Sequence, residues 1–293
     1  MKFFQKTGLI SIILSFFMLS LIAYAATSPG LGLASTFGIL SSTYTNTASG
    51  TTINGDLGYT TGPAVAPTVS GTTHIANGTY NQAGIDQGTA LAALNSQACT
   101  FTFPAGAVDL ATDTSHGAIG IYTPGVYCTT ASSAASIGTA GITLSGSGTY
   151  IFRVNGALTT VANSAVRLAS SASACDAWWT PTAATTLGAN STFIGTDIDA
   201  SGITIGDTIT WTGRALAFGG TVSTVRDTIT VPTCTVATTP GTTPGATTAA
   251  TPSTTPGLPN TGVGPQEKNT PLWIIGAVIL ASLSAIYFIR KKA

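Results

Sequence analysis

The segment STFIGTDIDASGITIGDTITWTG, Ser191 to Gly213, nearly repeats itself: Thr192-Phe193-Ile194-Gly195 returns as Thr210-Trp211-Thr212-Gly213, an offset of 210 − 192 = 18 residues. Written in rows of that length from Thr185, Ile203 and Thr221, the chain lines up in columns. Thr192, Thr210 and Thr228 form one file; Phe193, Trp211 and Ile229 form the next; Ile194, Thr212 and Thr230 form a third. Neighbouring side chains of a strand point to opposite faces, so an inward aromatic file leaves the two flanking files outward. A short period with glycine at its corners and β-branched residues between them predicts a parallel β-solenoid, each row being one coil. Stacked strands lie about 4.8 Å apart, so the outward threonines become a regular array.

Upstream the period is looser. Thr149-Tyr150-Ile151-Phe152-Arg153 resembles Thr210 to Arg214 and predicts another coil, and GTTINGDLGYTTG, Gly50 to Gly62, predicts one near the N-terminus. Between them NQAGIDQGTALAALNSQ, Asn81 to Gln97, has apolar residues at helical spacing at Ala83, Ala90, Ala93 and Leu94. That spacing predicts one helix packed along the solenoid, although Gly84 and Gly88 weaken its first half. The helix would cover one side and leave at least one other face free.

The two ends carry addresses. Lys2 and Lys6 precede an apolar run that finishes in Ala23-Tyr24-Ala25, the pattern of a secretory signal peptide, residues 1–25, cut after Ala25. At the other end Leu258-Pro259-Asn260-Thr261-Gly262 is followed by a polar spacer, the apolar run Leu272 to Ile289 and the basic Arg290-Lys291-Lys292-Ala293. The apolar run is long enough to span a bilayer, with the basic tail on the cytoplasmic side. The order of pentapeptide, span and basic tail, residues 258–293, resembles a sortase cell-wall sorting signal. That resemblance implies cleavage between Thr261 and Gly262 and transfer of Thr261 to peptidoglycan. Residues 235–257, rich in Thr, Pro and Gly, have no hydrophobic periodicity and read as an extended stalk.

One domain remains, residues 26–234. Charged residues make up 7% of the chain and the formal net charge is zero, which excludes partners held by clustered cations, nucleic acid above all. The surface must be made polar by Thr, Ser and Asn. Cys99, Cys128, Cys175 and Cys234 are an even set in a secreted domain, so one or two disulfides are expected, of a pairing the sequence leaves open. None of their spacings suits zinc.

Parallel β-solenoids also carry enzymes, whose chemistry would need clustered polar side chains. Asp197 and Asp199 share a face and suggest a carboxylate pair or a calcium site, but no acid recurs one period later, where Ala215 and Ala217 stand, so they read as turn formers. His74 and His116 read as surface or loop histidines. Arg153 and Arg214 occupy equivalent columns and suit hydrogen bonds to carbonyls or an acid. Trp178-Trp179 could stack on a sugar, though core packing is the commoner fate. No catalytic residue, metal site or cofactor is expected.

The runs from Ala34 (ASTFGILSSTYTNTASGTTINGDLG), Gly148 to Cys175 and Thr185 to Val222 are similar to the microbial ice-binding proteins of the DUF3494 type, over nearly the whole domain. The resemblance implies an irregular right-handed β-helix of triangular section with a helix along one face, and adsorption to an ice crystal surface through a flat face. Some members carry a T-A/G-x-T/N pattern on that side; Thr160-Val161-Ala162-Asn163 matches except at Val161, and the windows ending at Thr192, Thr210 and Thr228 keep only the final Thr. The expected ice-contacting residues are therefore Thr192, Ile194, Thr210, Thr212, Thr228 and Thr230, with Thr160 and Asn163. Competing readings are an adhesin or carbohydrate-binding solenoid that projects a recognition loop from Ala64 to Cys128, and a polysaccharide-active enzyme.

Overall fold

The computed structural model describes residues 25–234. The leader (but for Ala25), the stalk, the sorting signal and the span from Leu272 to Ile289 lie outside them, and among the described residues no helix is long and apolar enough to cross a membrane. The N-terminal part holds β1 (Phe37–Asn46), β2 (Thr52–Asn54), β3 (Asp56–Tyr59), β4 (Thr68–Val69), β5 (Thr73–Ile75) and the helix α1 (Gly78–Asn95). Short strands β6 (Phe101–Thr102), β7 (Val108–Asp109), β8 (Ile121–Tyr122) and β9 (Gly125–Cys128) follow. Then come β10 (Ala135–Ile137), β11 (Ile142–Ser145), β12 (Tyr150–Thr160) and β13 (Val166–Ala169). The last coils contain β14 (Ala177–Leu187), β15 (Thr192–Ile198), β16 (Ile203–Ile205), β17 (Thr210–Thr224) and β18 (Thr228–Thr230).

Every strand pairing is parallel, as in a solenoid. β15 and β17 pair as Thr192 with Thr210, Phe193 with Trp211 and Ile194 with Thr212, and β17 and β18 continue with Thr228, Ile229 and Thr230. The 18-residue period is thus the length of one coil. The stacking order departs from chain order: β18 pairs next with β2, and β1 lies between β17 and β3. The coil predicted at Gly50 to Gly62 is present, but it stacks beyond the C-terminal coil rather than before the first.

Inside, Phe193, Trp211 and Ile229 are buried, and the aromatic column runs on through Trp179 and Phe152. Phe152 stacks on Trp179 at 4.3 Å between ring centroids, Trp179 meets Phe193 at 5.2 Å, and Phe193 meets Trp211 edge-on at 5.0 Å. Such pairs add to the burial of their area. The indole N–H groups are not left unpaired: Trp179 donates to the Ile194 carbonyl and Trp211 to that of Gly195, both at a corner of the coil. Another corner is a column of left-handed residues, Asn163, Asn190, Thr208 and Arg226, linked by bonds from Asn163 N to Ala189 O, Asn190 N to Asp207 O and Thr208 N to Val225 O.

The helix begins earlier than Asn81 because Asn77 caps it, its side chain accepting Tyr80 N–H. Tyr80, Ala83, Gly84, Gln87, Ala90 and Leu94 form its buried stripe, while Ala93, expected there, faces solvent. Gly84 has a packing reason: the Phe218 ring lies where a Cβ would stand. The disulfides join Cys99 to Cys128 and Cys175 to Cys234. The segment from Ala64 to Cys128 forms β4, β5, α1 and the strands from β6 to β9, so it is built into the body of the domain and does not project as a recognition loop.

Candidate functional site

Three faces run along the solenoid, and α1 covers one of them, packing with Phe37, Leu40, Ile151, Trp178 and Leu216. The other two present files of hydroxyls. On one, β15, β17, β18, β2 and β4 place Thr192, Thr210, Thr228, Thr52 and Thr68 in a single register. Beside it run Ile194, Thr212, Thr230 and Asn54, with Asn54 Nδ2 donating to Thr230 Oγ1 at 3.1 Å. All of these side chains face outward or lie half-buried, whereas the file between them is buried as far as Ile53 and half-buried at Val69. Upstream the face changes character: Ala165 bridges to Thr192, and the exposed Arg167 follows two residues later.

The sequence marks the remaining face only on its Thr160 and Asn163 side. Here β10, β12, β14, β16, β17 and β1 align Ser136, Thr159, Thr186, Thr204, Ser223 and Thr45 row on row. Two residues further along each strand stand Gly138, Val161, Gly188, Gly206, Val225 and Thr47, none of them charged and most of them small. The Thr159, Thr186, Thr204, Ser223 and Thr45 hydroxyls make no hydrogen bond to other described residues, so they are free for a ligand in front of the face; Ser136 turns back to Val108 O at 3.3 Å. No charged side chain interrupts these rows, and Asp109 ends the file, its carboxylate accepting Ala111 N–H and Gly138 N–H. At the corner between the two hydroxyl faces Arg226 pairs with Asp207, Nε to Oδ1 at 2.9 Å. This hydrogen bond and the opposite charge hold the Asp207 carboxyl below its usual range and raise the guanidinium.

Residues 39–230 match the model of the family described as ice-binding-like. The chain belongs to the ice-binding-like family. An ice-binding protein from the Antarctic ascomycete Antarctomyces psychrotrophicus is similar in structure, with TM-score 0.63 and 28% identity over 71% of this chain and 100% of that one. One from an Antarctic biological consortium gives 0.61 and 26% over 73% and 95%. An ice-binding protein from an Arctic yeast shares the fold at 0.60 and 20%, over 71% and 96%. No curated protein matches the chain.

The other expected residues of this ice-binding-like domain separate. Thr160 lies inside the coil, 7% exposed, its Oγ1 accepting Gly188 N–H at 2.9 Å, so it does not reach the surface. Its neighbour Thr159 takes the outward position, because alternation along β12 turns successive side chains to opposite faces. Asn163 is exposed, in the left-handed corner column.

Asp199 is a turn former, its carboxylate accepting Ser201 N–H and the Thr185 hydroxyl. Asp197 is not: it lies mid-strand, fully buried beside Trp179 and Ala215, with neither oxygen hydrogen-bonded. Burial raises the carboxyls of both above their ordinary value, and the Asp199 charge adds to the effect on Asp197. Enclosed in the core, this pair cannot meet a substrate. Nor are Trp178 and Trp179 available for sugar stacking, being 2% and 0% exposed.

His116 lies in the loop between β7 and β8, but with its ring turned inward. Its side chain is 2% exposed, its Nδ1 lies 2.7 Å from Asp113 Oδ2, and its ring stacks on Tyr122 at 4.1 Å. Arg153 and Arg214 do bond carbonyls, of Gln97 and Ser35, each at 2.8 Å. They stand two residues out of register, however: Arg214 shares its row with Thr196, Trp178 and Ile151. Among the described residues no cluster of His, Cys, Asp and Glu could hold a metal ion.

Proposed function

We propose that this protein adsorbs to ice at the cell envelope, and that its contact surface is the face carrying Ser136, Thr159, Thr186, Thr204, Ser223 and Thr45. One observation carries the choice of face: these rows are in register with no charged side chain among them. At a strand spacing of about 4.8 Å, threonine offers water a hydroxyl anchor beside a methyl group around which water is ordered, at constant intervals. Charged groups would bind water strongly and irregularly. Each contact is weak, and the rigid array sums them.

A second reading keeps ice on the face of Thr192, Thr210, Thr228, Thr212, Thr230 and Ile194, favoured by its two adjacent hydroxyl files. The relatives are described as ice-binding proteins, which supports either surface. Growing ice slowly in the presence of the secreted chain and measuring its partition into the crystal tests the activity: exclusion from the ice ends both readings.

Display at the envelope rests on the sequence at the two ends. In this reading the leader is removed after Ala25, the segment Leu272 to Ile289 holds the chain in the membrane, sortase cuts between Thr261 and Gly262, and Thr261 is joined to peptidoglycan. Mass spectrometry of wall-released protein is expected to find Thr261 as its last residue; a chain extending to Gly262 or beyond rejects it.

A further inference from the structure

Beyond β18 the Val231 N–H bonds Asn54 O, and the chain reaches Cys234 before running on to Ala293. We propose that the Cys175–Cys234 disulfide is a mechanical clasp: tension arriving from the C-terminal extension enters the solenoid at β14 and bypasses β18.

Two routes lead into the domain from Cys234. The backbone route runs through Val231 into β18, a strand of 3 residues that pairs with β17 on one side and β2 on the other. So short a strand holds few ladder hydrogen bonds, and tension at its end would load them first. The other route is covalent. Cys175 sits in the 3-10 turn Ala174–Asp176, which leads directly into β14, a strand of 11 residues. β14 pairs along its length with β12 and on its other edge with β15 and β16.

The attachment point is itself braced. The Asp176 carboxylate accepts the Ser28 hydroxyl at 2.7 Å, and that hydroxyl oxygen accepts Trp178 Nε1–H at 3.0 Å. Arg214 donates Nε–H to Ser35 O at 2.8 Å, and its Nη2 lies 3.9 Å from Cys234 Sγ. Segments from the start, middle and end of the domain therefore meet where the extension leaves. While the bridge is closed, β18 carries no load, and Thr228 and Thr230 stay in register with Thr210, Thr212 and Thr52. The inference takes only the source of the tension from the anchoring reading; the route of force belongs to the folded domain.

Single-molecule pulling of the full chain between its two ends tests this. The oxidised protein is expected to show no extension before the main body yields, and never to release the segment between Cys175 and Cys234, separated by 59 residues. The Cys175→Ser, Cys234→Ser double variant is expected to show an early event at lower force and a final length greater by about 200 Å, at roughly 3.3–3.6 Å per residue. Should that variant fail to fold, a dithiol added to the folded wild type supplies the open state. Opening the Cys99–Cys128 bridge instead would add only about 100 Å, for a separation of 29 residues. Equal first-rupture forces with the bridge open and closed, or early release of β18 with it closed, would overturn the clasp. A wall-released chain not ending at Thr261 would reject the anchoring and leave these forces untouched.

Discussion

Gly213 faces the carbonyl oxygen of Gly195 so closely that a Cβ on Gly213 would stand 1.8 Å from it, with Trp211 Nε1 at 2.5 Å. The same carbonyl receives the Trp211 indole N–H, so the corner is closed by backbone, ring and hydrogen bond together. Gly213→Ala must push one coil away from the next. We expect it to cost about 3 kcal/mol, at the upper end of overpacking, because the obstacle is backbone and cannot rotate aside. Chemical denaturation measures it; a loss below about 0.5 kcal/mol, the scale of a surface change, would mean that the corner is slack.

The two glycines of α1 should respond in opposite directions. A Cβ at Gly84 would meet the Phe218 ring at 2.4 Å, whereas at Gly88 nothing lies within 4 Å. Gly88→Ala should therefore stabilise by about 0.5–1 kcal/mol through helix propensity alone. Gly84→Ala gains the same propensity but must displace an aromatic ring, and is expected to destabilise by about 1–2 kcal/mol. If both substitutions stabilise, Phe218 does not hold the helix to the solenoid.

Stability should fall as pH rises from acid towards neutral. Burial raises the carboxyls of Asp197 and Asp199, and takes that of Asp227 to about 7 despite hydrogen bonds from Val225 N–H and Ile209 N–H. Between the unfolded pKa of about 3.9 and these higher folded values the native state holds protons that the unfolded chain has released, so each unit of pH lowers the unfolding free energy. Asp113 and Asp207 act in the opposite sense, but below the window: burial opposes ionisation of Asp113, its bonds from His116 and Ser115 overcome that, and Arg226 holds Asp207 low. Melting temperatures at pH 4.5 and 7.5 should show the decline, and Asp197→Asn, which cannot ionise, should lessen it and stabilise at neutral pH. A flat profile in the wild type would contradict the burial of these carboxyls.

How much of this fold can be read from the residues depends on whether chain neighbours are also neighbours in space. Thr192, Thr210 and Thr228 align because their coils are consecutive and equally long, so a fixed offset finds them. Thr52 and Thr68 continue the same file and are invisible to that offset, because the N-terminal coils stack beyond the C-terminal one. The other hydroxyl face hides for a second reason. From Thr159 to Thr186 the offset is 186 − 159 = 27, from Thr186 to Thr204 it is 18, and from Thr204 to Ser223 it is 19, with bulges around Val154 and Ala157. The register of Arg153 is misjudged in the same way, since Tyr150 resembles Trp211 in its surroundings while its row lies elsewhere. Asp197 reads as a turn residue because buried acids are rare, and nothing in a linear pattern marks the exception.

The two hydroxyl faces can be told apart with one bulky residue on each. Thr204 and Thr210 are both exposed, and neither hydroxyl bonds another described residue. Tyrosine at either position opens no cavity and buries no polar group, so Thr204→Tyr and Thr210→Tyr should each leave stability within about 0.5 kcal/mol. Ice is rigid and cannot fold around a protruding ring, so the ring should hold the neighbouring rows off the lattice and remove many weak contacts at once. With ice on the face of Thr186, Thr204 and Ser223, Thr204→Tyr should abolish most of the thermal hysteresis and the uptake into ice, while Thr210→Tyr leaves both near wild type. The reverse outcome would move the contact surface to Thr192, Thr210 and Thr228. Loss in both variants would make the corner between the faces, with Asn190 and Thr208, part of the contact, and full activity in both with unchanged melting would place ice on neither face.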